Sequence, residues 1–148
     1  LAEQGLASAQ FQIGRMYASG HGLPQDHIAA VAWFRLAAEQ GNPNAQRNLG
    51  IMYQRGRGVM SDYAQAVAWF RQAAEQGDAA AQISLGNLYK DGRGVAQDYV
   101  LAHMWFNLAA AQEYEGALRK RVNIARRMTP EQIAEAQRLA REWTPKAE

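Results

Sequence analysis

The sequence predicts an all-α fold, a solenoid of stacked helix pairs, and three observations carry that reading. A nine-residue stretch occurs three times, at 9–17, 45–53 and 81–89, with a spacing of 36 residues. The same period carries the pairs Gly20/Gly22, Gly56/Gly58 and Gly92/Gly94, the acids Asp26, Asp62 and Asp98, and the dipeptides Trp33-Phe34, Trp69-Phe70 and Trp105-Phe106. Self-similarity at a period of about 20–50 residues marks a repeat architecture, in which each unit buries its apolar face against the next. Within each period the apolar residues recur at helical spacing, i, i+3, i+4 and i+7, and nothing alternates as a strand would.

Residues 1–5 read as the tail of a repeat, because they match 37–41 and 73–77. Further repeats or a targeting segment are then expected upstream. Three full units follow at 6–41, 42–77 and 78–113. The first helix of each unit is predicted to start near Ala7, Asn44 and Ala79. Asn42-Pro43 supplies an N-cap with proline at the first helical position, and Asp78 is the N-cap candidate of the next unit. Gly20, Gly56 and Gly92 stop these helices, since glycine takes the left-handed cap conformation without a steric penalty. Asp26, Asp62 and Asp98 then cap the second helices. Each second helix carries a stripe of alanines around its Trp-Phe pair: Ala30, Trp33, Phe34, Ala37 and Ala38 in the first copy. Gly41 and Gly77 end it.

Three copies of the first helix separate what is fixed from what is free. On a wheel with about 100° per residue, Ala45, Gln46, Leu49, Gly50, Met52 and Tyr53 form one arc and hardly change between copies. Asn44, Arg47, Asn48, Ile51, Gln54 and Arg55 form the opposite arc and change freely. The constant arc is expected to be packed and the variable one solvated. Gly50 lies mid-helix, where glycine costs about 1 kcal/mol relative to alanine, so its recurrence predicts a neighbour too close for a Cβ.

Ala-Gln-x-x-Leu-Gly-x-x-Tyr, then Gly-x-Gly-Val, Asp and Ala-x-x-Trp-Phe-x-x-Ala-Ala-Glu-Gln-Gly together resemble the Sel-1-like repeat of bacterial type. This is a relative of the tetratricopeptide repeat with a longer loop between its helices. The resemblance covers residues 1 to about 112. It implies a right-handed α/α superhelix whose first helices line a concave surface, and a role as an interaction scaffold or adaptor. Three positions depart from the pattern: Leu6 replaces the polar cap, Leu23 replaces valine, and Glu113 stands where glycine is expected.

Beyond Gln112 the period fails, and residues 114–148 read as a C-terminal capping helix pair. The first helix, over 115–127, places Leu118, Val122 and Ala125 on one side. Thr129-Pro130-Glu131-Gln132 is a second clean start, with the elements of a capping box. Ile133, Ala136, Ala140 and Trp143 form the apolar stripe of that last helix, and Pro145 ends it. A solenoid needs such a terminal unit to close its last hydrophobic face.

The composition restricts function. The chain has 148 residues, no cysteine and a net charge of only +2. A nucleic-acid partner is therefore not expected from bulk charge, and thiolate metal sites and disulfides are excluded. No apolar run is long enough to span a bilayer. The compartment stays open between the cytoplasm and the bacterial periplasm or exterior. The Gly-x-Gly loops lack the Gly-Lys-Ser/Thr of a phosphate loop, and His21, His27 and His103 lack the spacing of paired metal ligands. Some cysteine-rich relatives are linked to β-lactam binding or hydrolysis, but neither Ser-x-x-Lys nor Lys-Thr-Gly occurs here.

No cofactor and no catalytic residue is therefore predicted. The expected function is a monomeric, non-enzymatic scaffold that binds a protein or peptide on the face of the first helices. The lining is assigned to Gln12, Arg15, Asn48, Ile51, Arg55, Ser84 and Asn87. Amides there can pair with an extended backbone, and arginine and isoleucine supply contact energy. The alternatives are an enzyme of unrecognised chemistry and a binder of anionic surfaces. The latter would use Arg119, Lys120, Arg121, Arg126 and Arg127.

Overall fold

The computed structural model describes residues 2–146, and among them every regular element is helical. In chain order these are α1 (Ala2–Ser19), α2 (His27–Glu39), α3 (Pro43–Arg55), α4 (Tyr63–Glu75), α5 (Ala79–Asp91), α6 (Tyr99–Ala111), α7 (Ala117–Ala125) and α8 (Pro130–Glu142). The all-α fold expected from the sequence is thus present. The chain divides into two compact units, one running to Ala73 and the other starting at Ala74.

In the first unit the predicted caps form as read. The Ala45 amide donates to Asn42 Oδ1 at 2.9 Å, and the Ala29 and Gln65 amides donate to Asp26 and Asp62 at 3.0 and 3.1 Å. One boundary differs. The sequence places the start of the first helix at Ala7, whereas α1 begins at Ala2 and runs through Gly5. The cause is local: Leu6 stands where Asn42 and Asp78 stand in the later copies, and its side chain offers no acceptor to break the helix.

The wheel reading holds residue by residue in α3. Its buried side chains are Ala45, Gln46, Leu49, Gly50, Met52 and Tyr53, the six constant positions. The equivalent six are buried in α5, whereas in α1 the expectation fails: only Gly14 of the six is buried, and Ala9 and Met16 are exposed. The close neighbour predicted at Gly50 is a phenylalanine ring. A Cβ at Gly50 would lie 2.8 Å from two ring carbons of Phe70 on α4. The same contact recurs between Gly14 and Phe34 at 2.6 Å, and between Gly86 and Phe106 at 2.5 Å. Phe34, Phe70 and Phe106 are the largest fully buried side chains of the second helices. Each repeat is therefore keyed by one ring laid on one glycine.

A second constant feature is polar. Gln46 is buried, and its Nε2 donates to the Ala38 carbonyl of α2 and to Gln72 Oε1 of α4, both at 3.2 Å. In the second unit Gln82 repeats the bond to Ala74 and accepts from Gln112 Nε2 at 3.1 Å. A buried amide costs free energy unless paired, and here two helix partners meet it.

The second unit ends in the capping pair. α2 closes with a Schellman arrangement in which Gly41 has φ +94° and the Asn42 amide reaches back to the Ala37 carbonyl. After α6 the same pattern appears with Glu113 in the glycine slot at φ +59° and the Tyr114 amide bonded to Ala109. The backbone keeps the conformation although the residue does not suit it.

The buried face of α7 corrects the sequence reading. Leu118 and Val122 are exposed, and the face packed inward carries Ala117 and Ile124. Between them at helical spacing lie Lys120 and Arg121, which find polar partners described below. α8 matches expectation: Thr129 and Gln132 form both bonds of the capping box, and Ala136 is fully buried. Trp143 meets Trp105 edge-on, with centroids 6.2 Å apart.

Candidate interaction surface

The seven residues assigned to a binding face fall on α1, α3 and α5, each on the side away from the packed arc. In the first unit Gln12 and Arg15 are exposed on α1, and Arg15 sits 3.5 Å from Gln12 Oε1 and 5.8 Å over the Phe11 ring. Together with Asn48 of α3 they line a depression of about 500 Å³ whose wall also includes Met16, His21 and Phe34. Asn48 is half-buried and donates its amide nitrogen to the Asn44 carbonyl at 2.8 Å. Ile51 is half-buried rather than exposed, and Arg55, one turn further on, is exposed.

In the second unit Ser84 and Asn87 are half-buried on α5. Asn87 is already engaged, because Lys120 of α7 donates to its Oδ1 at 3.2 Å. The Lys120 ammonium also lies 5.9 Å from the Phe106 ring centroid. Arg121 donates to Asn107 Oδ1 of α6 at 2.7 Å. The sequence groups these two cations with Arg119, Arg126 and Arg127 as one basic cluster and gives them no partners within the fold. The missed signal was the i, i+3, i+4, i+7 spacing of Ala117, Lys120, Arg121 and Ile124, which puts all four on one helix face. Arg119 and Arg126 do stay exposed.

His103 replaces the valines found at positions 31 and 67 and is buried on α6. Its Nδ1 meets no hydrogen-bonding group of the described residues. Burial, and then the nearby Arg121 charge, lower its pKa below the ordinary imidazole value. Among the described residues no three His, Cys, Asp or Glu side chains cluster as metal ligands do. No described helix is long and apolar enough to cross a membrane.

Helix pairs keyed by a constant packed arc, each presenting a variable first-helix face, define the class of helical-repeat proteins. The chain belongs to the Sel1 repeat family: the family's repeat model matches residues 7–42, 43–78 and 79–114. Two solved structures extend the comparison. One is a protective antigen present in uropathogenic Escherichia coli strains that displays an SLR fold, with 41% identity and a TM-score of 0.86. The alignment covers 95% of this chain and 30% of that one, so the chain spans under a third of that protein's length. The other is a Sel1 repeat protein from Oxalobacter formigenes, with 45% identity, a TM-score of 0.75 and coverage of 82% and 92%. No curated protein matches the chain.

Proposed function

We propose that the protein is a non-catalytic binding module whose first-helix faces hold a protein or peptide partner, in keeping with the scaffold role typical of its family. The observation that carries this reading is the division of α3 into a buried arc that repeats and a half-buried to exposed arc that does not. Packing alone demands the first. A regular scaffold that varies only its outward residues can present different chemistry along its length to one ligand.

The contact residues would be Gln12, Arg15, Asn48, Ile51 and Arg55 in the first unit, and Ser84 and Asn87 in the second. Arg15 and Arg55 are exposed and can pair with carboxylates or carbonyls, while half-buried Ile51 offers an apolar anchor. The partner would bind a single copy of the chain.

The test is a pull-down with the full chain and with the triple variant Arg15→Ala, Ile51→Ala, Arg55→Ala. A partner held by the wild type should be lost from the variant while far-ultraviolet circular dichroism stays the same. Undiminished capture by the triple variant would remove these residues from the interface.

A further inference from the structure

A separate hollow in the second unit, of about 500 Å³, lies among α5, α6 and α7. Lys90, Lys120, Arg126 and Arg127 contribute cations to its wall, and Phe106 and Ile124 contribute apolar carbon. No carboxylate belongs to that wall. None of the four cations takes part in an ion pair among the described residues.

Helix polarity explains part of this arrangement. Lys90 stands in the last turn of α5, and Arg126 is the C-cap of α7, where positive charge offsets the exposed carbonyls. That effect places one cation at each helix end. It does not gather four of them around one cavity with nothing to neutralise them. Lys120 is moreover held in place, its ammonium fixed between Asn87 Oδ1 and the Phe106 ring, so little side-chain entropy remains to be lost when an anion arrives.

We propose that this hollow binds an acidic peptide segment, with its carboxylate side chains meeting Lys90, Lys120, Arg126 and Arg127. Size and shape favour a peptide over the other anions. A cavity of this volume takes several side chains, whereas a lone inorganic anion would fill a small part of it. Single-stranded nucleic acid needs open aromatic faces on which bases stack, and the ring here, Phe106, is wholly buried. The site is independent of Arg15, Ile51 and Arg55, which belong to the other unit.

The experiment uses the full chain and a fluorescent octapeptide of alternating glutamate and leucine, read by anisotropy. The wild type should bind it with an affinity that falls as salt rises, and a glutamine-for-glutamate peptide should bind at least tenfold more weakly, roughly the loss expected for removing charge-assisted bonds. Lys120→Met keeps the aliphatic stem over Phe106 and removes the charge; Arg127→Gln alters an exposed side chain. Each should weaken binding about tenfold with helical content unchanged; Arg127→Gln should also melt as the wild type does, whereas Lys120→Met gives up the Asn87 bond and melts somewhat lower. Arg119→Gln removes equal charge from the same helix outside the hollow and should change affinity less than about twofold. Three results would overturn the proposal: no binding by the wild type, equal losses from Arg119→Gln and Arg127→Gln, or equally tight binding of a DNA oligomer of the same charge.

Discussion

Replacing Gly50 with alanine sets two effects of similar size against each other, and the structure decides between them. In an open helix position the change stabilises by about 1 kcal/mol, because alanine loses less backbone entropy. At Gly50 the new Cβ would stand 2.8 Å from two carbons of the Phe70 ring, against an optimum of roughly 3.5 Å or more, so the ring must retreat by about 0.7 Å. Phe70 is fully buried, so its ring can retreat only if the side chains packed around it shift as well. Overpacking of this kind costs about 1–3 kcal/mol, which leaves a net loss of up to about 2 kcal/mol for alanine and more for Gly50→Val. For a chain of this length about 1 kcal/mol corresponds to about 3 °C in Tm. Gly5 is the internal control: it lies in α1, and a Cβ there meets nothing within 4 Å. Thermal melts followed by circular dichroism should show Gly5→Ala at or above the wild type and Gly50→Ala below it. The double variant Gly50→Ala, Phe70→Leu should recover part of the loss through a favourable coupling of about 0.5–3 kcal/mol. If Gly50→Ala melts as high as Gly5→Ala, the ring contact does not constrain the helix and the account of the repeat is wrong.

Two further outcomes follow from particular residues. Glu113 holds φ +59° in a slot that Gly41 and Gly77 fill, and it adds a negative charge at the C-terminal end of α6. Glu113→Gly should therefore stabilise by about 0.5–1 kcal/mol and raise the Tm by about 2 °C; a lower Tm would mean that the side chain contributes more than the backbone conformation costs. His103 should give the protein a pH-dependent stability. Its folded pKa is lowered, so below the ordinary value of about 6.5 the unfolded chain binds a proton that the folded chain refuses. Stability is then complete above about pH 7 and falls as pH drops through about 6.5 toward the lower folded value. His103→Val, which restores the residue type of positions 31 and 67, should flatten the Tm difference between about pH 7.5 and about pH 5.5. An unchanged difference would place the titration elsewhere.

The repeat made most of the fold legible. Three copies of the first helix act as an internal comparison, so the buried side of α3 could be named from sequence alone, down to the single glycine that needs a bare backbone. The same logic failed at both ends of the described chain, and for physical reasons. At Leu6 the chain lacks a capping side chain, and without that acceptor no local signal ends the helix that α1 continues. In α7 there is one copy and no comparison. Leu118 and Val122 invite the reading of an apolar side, but the neighbours set the orientation. Asn87 and Asn107 offer acceptors to Lys120 and Arg121, and the paired cations turn Leu118 and Val122 outward. Of the candidate site, the elements and their outward sides were legible. The engagement of Asn87 by Lys120 was not, because it joins residues 33 apart in sequence across three helices that no periodicity links.

The buried glutamines bear on a hazard peculiar to repetitive chains. Copies this alike could stack in a shifted alignment, since apolar faces are tolerant of sliding and each unit offers nearly the same surface as the next. Gln46 and Gln82 remove that tolerance. Each amide finds its carbonyl and its partner glutamine in one alignment, and a slip of a single residue would carry a hydrogen-bonding group into the core with nothing to meet it, at a cost of about 1–3 kcal/mol per copy. Leucine in those positions would fill the space and could even hold as firmly. What it could not do is penalise a slip of register within the pair of helices it joins. In this family member the polar atom in the core acts as an indexing pin within each unit, and the outward faces of α3 and α5 inherit their register from it.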